Sequence, residues 1–201
     1  MKLAGTVILY YPDMALMDRI KTYIDILDVL YVVDNSERSD INIKNEILKN
    51  QKTKYFHDGE NKGIAIRLNE VAERAIKDGH SALLTMDQDS CFDLNMAQQY
   101  IGCISSFKTY SNTAMFGVEF LHQTQLSTCT SEKVSELITS GSIINLDLFK
   151  SIGRFDEKLF IDYVDHEYCY RAITKGYEIV KFSNIFLQHS VGEAVQKRSF
   201  G

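Results

Sequence analysis

Residues 61–90 read NKGIAIRLNEVAERAIKDGHSALLTMDQDS. Two regular elements are visible in them. Apolar residues at Ile64, Ala65, Leu68, Val71, Ala72, Ala75 and Ile76 repeat with a helical period. Gly79 stands where a helix ends in the left-handed conformation. Residues 82–86 then form a short apolar run of strand length, followed by Asp87-Gln88-Asp89-Ser90. A helix that feeds a buried strand ending in a polar turn is the repeating unit of an α/β sheet.

The same alternation extends in both directions. Residues 6–10 are an apolar run stopped by Pro12, and residues 14–27 repeat with a helical period. A second run, 29–33, ends in Asp34-Asn35-Ser36, a turn cluster. A weaker helix is expected over 41–48, a third strand over 53–56, a helix over 94–107 and a strand over 113–118. The order β-α-β-α-β-α-β-α-β predicts an α/β, Rossmann-like fold. Its sheet is mixed but mainly parallel, with helices on both faces. Ligands bind such sheets beyond the carboxyl ends of the strands. That rule selects residues 10–13, 34–36 and 87–90.

The character changes after about residue 119. Six of the twelve residues 124–135 are Ser or Thr, which predicts an exposed, mobile loop. Residues 138–145 follow, then a short helix around 147–152. Residues 153–162 are rich in turns and aromatics, and a helix over 164–175 is ended by Gly176. Two closing strands are expected at 177–182 and 185–189. No linker divides the chain, so residues 1–201 read as one domain.

The chain has 201 residues, 45% of them hydrophobic and 24% charged, which suits one domain with a sizeable core. Net charge is −5, which argues against a general nucleic-acid binder. Cys91, Cys103, Cys129 and Cys169 are widely spaced with no C-x-x-C, so reduced thiols in a cytoplasmic protein are expected, not a disulfide framework or zinc site. No apolar run is long enough to cross a membrane, and the N-terminal run is too short for a secretion signal. Contact with a membrane surface stays open.

Asp87 and Asp89 carry the strongest chemical signal. Two carboxylates one residue apart, on the turn leaving a buried strand, can face one cleft and suit Mg²⁺ or Mn²⁺ over a diphosphate. The bland alternative is a solvated turn or a helix cap. Asp34 can accept from a base or ribose, or can cap the next helix. Asn61-Lys62-Gly63 can offer helix-start amides to a phosphate, although neither a Walker loop nor a G-x-G-x-x-G pattern is present. Asp162, Asp165 and Glu167 crowd the start of a helix. One of them can serve as a general base or as a cap. Asp165 and Glu167 cannot share a helical face, so they are expected to differ in role. His189 follows an apolar strand, and a lone His is more often structural than a ligand. His57, His80, His122 and His166 rank below it.

Taken together, VILYYP (7–12), VVDNS (32–36), NKGIAIRLN (61–69), LLTMDQDS (83–90), TSGSIINLDLFKSIGRFDEKLFIDYVDHEYCYRA (139–172) and QHSVGE (188–193) resemble the family-two glycosyltransferases of the GT-A fold. The likeness is greatest to their rhamnosyltransferase-like branch. The stretches run in the family's order over nearly the whole chain.

The resemblance implies a nucleotide-binding half over 1–118 and an acceptor-binding, catalytic half over 119–201. Tyr10 and Asp34 would line the base pocket, and Gly63 would lie close to the donor. Asp87 and Asp89 would form the D-x-D pair, with Asp89 and His189 on an Mg²⁺ or Mn²⁺ ion. Asp165 would be the base of an inverting transfer from a nucleoside-diphosphate sugar, rhamnose being the sugar of the branch. The acceptor would be a saccharide or lipid-linked saccharide in cell-surface polysaccharide synthesis, at the inner face of the membrane.

Two departures stand out. Val164 occupies a position where many members carry Glu. Members also continue well beyond the position of Gly201, so a C-terminal truncation is expected. Two rivals are weighed beside this reading. One is a haloacid-dehalogenase-like phosphohydrolase, whose D-x-D normally follows the first strand and not the fourth. The other is a catalytically silent sugar-nucleotide-binding module.

Overall fold

The computed structural model describes residues 1–93, 95–120 and 128–189. Strands β1 (Leu3–Leu9), β2 (Val29–Asp34), β3 (Thr53–His57) and β4 (Ala82–Asp87) are parallel, in the spatial order β3-β2-β1-β4. Helices α1 (Leu16–Lys21), α2 (Ile41–Ile47) and α3 (Gly63–Lys77) make the crossovers. Neighbouring residues of each strand enter opposite cores. Val7, Leu30 and Val32 pack on one face, while Ala4, Tyr31 and Val33 pack on the other. The α3 residues Ala65, Leu68, Val71, Ala72 and Ala75 are buried on the second face, as their period predicts, and Ile76 is exposed.

The second half of the sheet is mixed. Strand β5 (Ser90–Phe92) and helix α4 (Met96–Ser105) follow the acidic turn, then β6 (Thr113–Glu119), β7 (Ser131–Lys133) and β8 (Ser142–Asn145). Helices α5 (Leu146–Ile152) and α6 (Val164–Thr174) precede the last strand, β9 (Glu178–His189). The sheet continues β4-β8-β6-β9-β5, with β8 antiparallel to both β4 and β6, and β7 antiparallel to β9. Helices α1, α2 and α4 cover one face; α3, α5 and α6 cover the other.

Four local expectations are corrected. The single helix over 14–27 is α1 followed by a 3₁₀ turn at Ile24–Ile26. The Thr22 hydroxyl donates to the Arg19 carbonyl at 2.7 Å and competes with helix propagation. The two closing strands are one, β9, whose pairing with β6 slips between Phe182 and Phe186. Buried Asn184 sits in this slip and accepts from the Thr130 amide at 3.0 Å. Within the Ser/Thr-rich stretch, Ser131–Lys133 is exposed but forms a strand on β9; residues 124–127 lie outside the described residues. Finally, Cys103 and Cys129 are joined in a disulfide, while Cys91 and Cys169 are free thiols. Cys103 lies on the buried face of α4, and the pairing of β7 with β9 carries Cys129 to it, an approach that sequence spacing does not reveal. Among the described residues, no helix is long and apolar enough to cross a membrane.

Candidate functional site

The carboxyl ends of β1, β2 and β4 meet the start of α3 in a cleft of about 270 Å³. Tyr10, Asn35, Asn61, Gly63, Asp87 and Phe160 line it. The loops after β1 and β4 are clamped together by one side chain. The Tyr10 amide donates to Gln88 Oε1 (2.8 Å), and Gln88 Nε2 donates back to the Tyr10 carbonyl (3.1 Å). Arg19 Nη1 holds the Gln88 carbonyl from the other side at 3.2 Å. Tyr11 follows in the left-handed conformation at φ 46°, its amide on Ser36 Oγ (2.7 Å) and its hydroxyl on Glu37 (2.9 Å). That hydrogen bond to Glu37 raises the Tyr11 pKa.

Asp34 lies behind this cleft, at 2% exposure. Its Oδ1 accepts from the Ser36 amide (3.0 Å) and its Oδ2 from the Tyr55 hydroxyl. Burial, and then that hydrogen bond, push the Tyr55 pKa upward. The next residue, Asn35, faces the cleft.

The start of α3 offers few spare amides. The Lys62 amide donates to Asn35 Oδ1 (3.0 Å), that of Gly63 to Asn61 Oδ1 (3.2 Å), and that of Ile64 to the Phe160 carbonyl (2.7 Å). Gly63 therefore matters for close approach. Its φ is +78°, and an added Cβ would lie 2.4 Å from the Phe160 carbonyl oxygen. Gly63→Ala is expected to destabilise the fold by about 2 kcal/mol through the clash and the left-handed conformation. Chemical denaturation measures this; an unchanged midpoint would show that the wall at Phe160 yields freely.

Asp87 and Asp89 leave β4 at the cleft's edge, Asp87 within its lining. The Asp87 amide donates to Ser140 Oγ (3.3 Å), and Ser140 Oγ donates to Ser90 Oγ (2.8 Å). Antiparallel pairing sets His189 directly opposite Ser90, so residue 189 stands beside the acidic turn in register. The carboxylates of Asp87 and Asp89 are hard oxygen donors of the kind Mg²⁺ and Mn²⁺ accept, and the backbone places residue 189 beside that turn. Among the described side chains, no three His, Cys, Asp or Glu converge as a finished metal centre.

Asp165 occupies the first turn of α6, with its side chain 18% exposed. Its Oδ2 accepts from the Thr139 amide (3.3 Å), and its Oδ1 from the His166 amide (2.9 Å). His166 Nδ1 lies 3.0 Å from Glu136, and its Nε2 lies 3.8 Å from Asp165. Thr139 and Ser140 thus tie Asp165 to the acidic turn. The Thr85 hydroxyl on the Thr139 carbonyl pins them to β4. Glu167 faces elsewhere and grips Arg171 at 2.6 Å, so the two acids have different partners. His57 and His80 contact the main-chain carbonyls of Ser36 and Ala75, and His122 lies outside the described residues.

The structure brings Tyr10, Gly63 and Asp87 onto one cleft and links Asp165 to it through Thr139 and Ser140. The sequence selected the segments that hold Gln88, Asn35 and Asn61 without giving those side chains a role, and it missed Ser140 and Arg67. Only Arg67 left a signal. It falls three residues after Ile64 and four before Val71, on the apolar stripe of α3, where a charge needs buried partners.

No protein-family profile matches the chain. It is 26% identical over 185 residues to the dTDP-rhamnosyl transferase RfbF of Shigella flexneri, an alignment covering 81% of this chain and 60% of that protein. The chain thus spans about 60% of the length of this curated relative. In three dimensions it is similar to GalNAc-T7 crystallised with UDP, GalNAc and Mn²⁺, at a TM-score of 0.77 and 11% identity, covering 94% of this chain and 44% of that one. It is also similar to S. aureus TarS, at a TM-score of 0.67 and 16% identity, covering 95% of this chain and 37% of TarS. The chain shares with these two structures the GT-A glycosyltransferase fold, a mixed, mostly parallel sheet covered by helices, and its sequence is similar to that of a rhamnosyl transferase.

Proposed function

We propose that residues 1–201 form the donor-binding and catalytic domain of an inverting glycosyltransferase that uses a nucleoside-diphosphate sugar. The observation that carries this reading is the acidic turn Asp87-Gln88-Asp89, fixed beside the cleft by the reciprocal Gln88–Tyr10 clamp. The RfbF likeness favours dTDP-rhamnose as donor, and the GalNAc-T7 complex supports a divalent cation. Asp89 and His189 would hold the cation with Asp87 beside them. A cation bound there supplies charge neutralisation to the diphosphate as the nucleotide departs.

Tyr10 and Gly63, in the donor half, residues 1–118, would line the nucleotide site, whereas Asp34, expected to line the base pocket, is buried behind it with its oxygens on Ser36 and Tyr55 and acts there by fixing the loop after β2. In the acceptor half, residues 119–201, Asp165 takes the proton of an acceptor hydroxyl as that oxygen attacks the anomeric carbon from the face opposite the leaving diphosphate. One displacement inverts that carbon. The acceptor is a saccharide or lipid-linked saccharide of a surface polysaccharide, met on the cytoplasmic side of the membrane. Exposed Phe160 and Ile161 in the cleft's lining suit the apolar part of such an acceptor.

Calorimetric and thermal titration with dTDP and UDP, with and without Mn²⁺, tests this reading. A bound ligand at about a hundred times its Kd adds about 2.7 kcal/mol of stability. Asp89→Ala is expected to abolish the Mn²⁺-dependent part of that shift while leaving the unliganded midpoint nearly unchanged. Normal Mn²⁺-coupled binding by the variant would remove Asp89 from the metal site.

A further inference from the structure

The Cys103–Cys129 disulfide joins a buried sulfur to an exposed residue. Cys103 lies on the inner face of α4 at 3% exposure, while Cys129 stands exposed on the approach to β7. Buried Asn184, in the slip of β9, holds both ends of the link. Its Oδ1 accepts at 3.0 Å from the amide of Thr130, the next residue after Cys129. A main-chain amide can only donate, so that oxygen must face Thr130 and the NH₂ must face the other way. The NH₂ points at Cys103 Sγ, 3.8 Å away. A donor held against this sulfur favours the negative charge it would carry as a thiolate. The link also guards a thin edge of the sheet. Strand β7 has three residues, all exposed, and pairs with β9. Lys181 joins Glu132 of β7 to Glu119 of β6, at 3.0 Å each. Both β6 and β4 are antiparallel to β8, so Glu119 ends β6 at the sheet edge from which the acidic turn leaves.

We propose that Cys103–Cys129 is a thiol-exchange switch that fastens β7 to α4 when closed and loosens this edge strand when open. The inference is independent of the nucleotide-sugar reading. Opening uses two thiols, supplied by glutathione or by a protein dithiol. The first, as thiolate, attacks exposed Cys129 Sγ and forms a mixed disulfide. The Cys103–Cys129 bond breaks, and its electron pair leaves on Cys103 Sγ, which faces the Asn184 NH₂. The second thiolate attacks the incoming sulfur of that mixed disulfide and frees Cys129. The two thiols are oxidised to their own disulfide, and the two protons they gave up end on Cys103 and Cys129. Attack at Cys129 is favoured because its side of the bond is open to solvent, and exposed disulfides are the labile and regulatory class.

The intact chain is treated with millimolar reduced or oxidised glutathione under native conditions, quenched in acid, and alkylated in denaturant to count thiols by mass spectrometry. Oxidised glutathione is expected to leave two thiols, Cys91 and Cys169, and reduced glutathione to expose four, with reversal on exchange of the buffers. Opening releases a link between residues 26 apart, so the thermal midpoint should fall by about 5 °C or more. Hydrogen exchange at the amides of Thr130, Ser183 and Val134, which pin β7 and its approach to β9, should quicken by about tenfold or more, while β1 to β4 stay protected. Cys129→Ser should show the open pattern in either buffer. Asn184→Asp keeps the acceptor for Thr130 but turns a carboxylate oxygen toward Cys103 Sγ, so opening should slow by about tenfold. Two thiols that persist in reduced glutathione until denaturant is added would make the link an inert structural bond and overturn the proposal. Four thiols that oxidised glutathione cannot bring down to two would overturn it as well, as would identical exchange at β7 in the open and closed chains. An unchanged opening rate in Asn184→Asp would overturn the role given to that amide.

Discussion

Asp165→Asn is expected to lower the rate of sugar transfer by about 10²–10⁴, the usual contribution of a general base. The substitution keeps the size of the side chain and leaves an oxygen for the Thr139 amide, now 3.3 Å from Oδ2. What it removes is the basic oxygen. Donor affinity should change less than about tenfold, which is about 1.4 kcal/mol, because the described contacts of Asp165 run to Thr139 and His166 and not to residues lining the cleft. The rival role is that of a favourable charge at the start of α6, which adds only about 0.3–1 kcal/mol to stability. The two roles separate cleanly when donor binding and transfer to an acceptor are measured independently on the same variant. Transfer near the wild-type rate would leave Asp165 as a helix-start charge. Loss of donor binding in parallel with transfer would make it a donor ligand. In either case Asp162 becomes the next candidate base, since Glu167 is committed to Arg171 at 2.6 Å.

The part of the fold that was legible in the sequence is the part in which neighbours in the chain are neighbours in space. Strands β1, β2 and β4 and the helices between them follow from period and turn chemistry, because these strands are buried on both faces and read as apolar runs, whereas β3, a half-buried edge strand, is marked mainly by its place between α2 and α3. Strand β8 was not legible as an antiparallel insertion. It has only four residues, and its partners β4 and β6 are chosen by the return of the chain after residue 119. The same distinction holds in the site. Tyr10, Gly63 and Asp87 mark themselves by standing immediately after an apolar run or at a helix start, where α/β sheets place ligands. Asn35, Asn61 and Gln88 stand in the same segments, but their side-chain roles, like that of Ser140, were not legible, because the value of an amide or hydroxyl depends on which partner it meets. Those partners lie far away in sequence: Gln88 on Tyr10, Ser140 on Asp87 and Ser90, Arg67 on Asn35. The Cys103–Cys129 link is of the same kind, made by strand pairing and invisible in spacing.

Arg67→Met is expected to lower stability by about 3 kcal/mol, at the lower end of the range for breaking a buried ion pair. The arginine side chain is 4% exposed, whereas Asp58 and Glu70 are 39% and 41% exposed and can recover some hydration when it is gone. The Asn35 oxygen keeps the Lys62 amide but loses Nε. For a domain of this size the midpoint of thermal unfolding should fall by about 10 °C. The loss should also depend on pH. Hydrogen bonds from Arg67, then from Lys62, hold the Asp58 carboxyl well below the usual carboxylate range against the opposing effect of burial. A carboxyl whose pKa is depressed by folding adds stability that is complete above its unfolded value of about 3.9 and is lost as pH falls below it. The wild-type chain should therefore lose stability as pH drops below about 4, and Arg67→Met should lose less over the same interval. The gap between the two is then expected to be widest near neutrality and to narrow on acidification, with Lys62, 2.6 Å from Asp58, preserving a small remainder in the variant. Urea denaturation at several pH values from 7 downward reads this directly. A gap that stays constant with pH would mean that Arg67 stabilises the fold by packing alone, and that the Asp58 carboxylate is held by Lys62 and water.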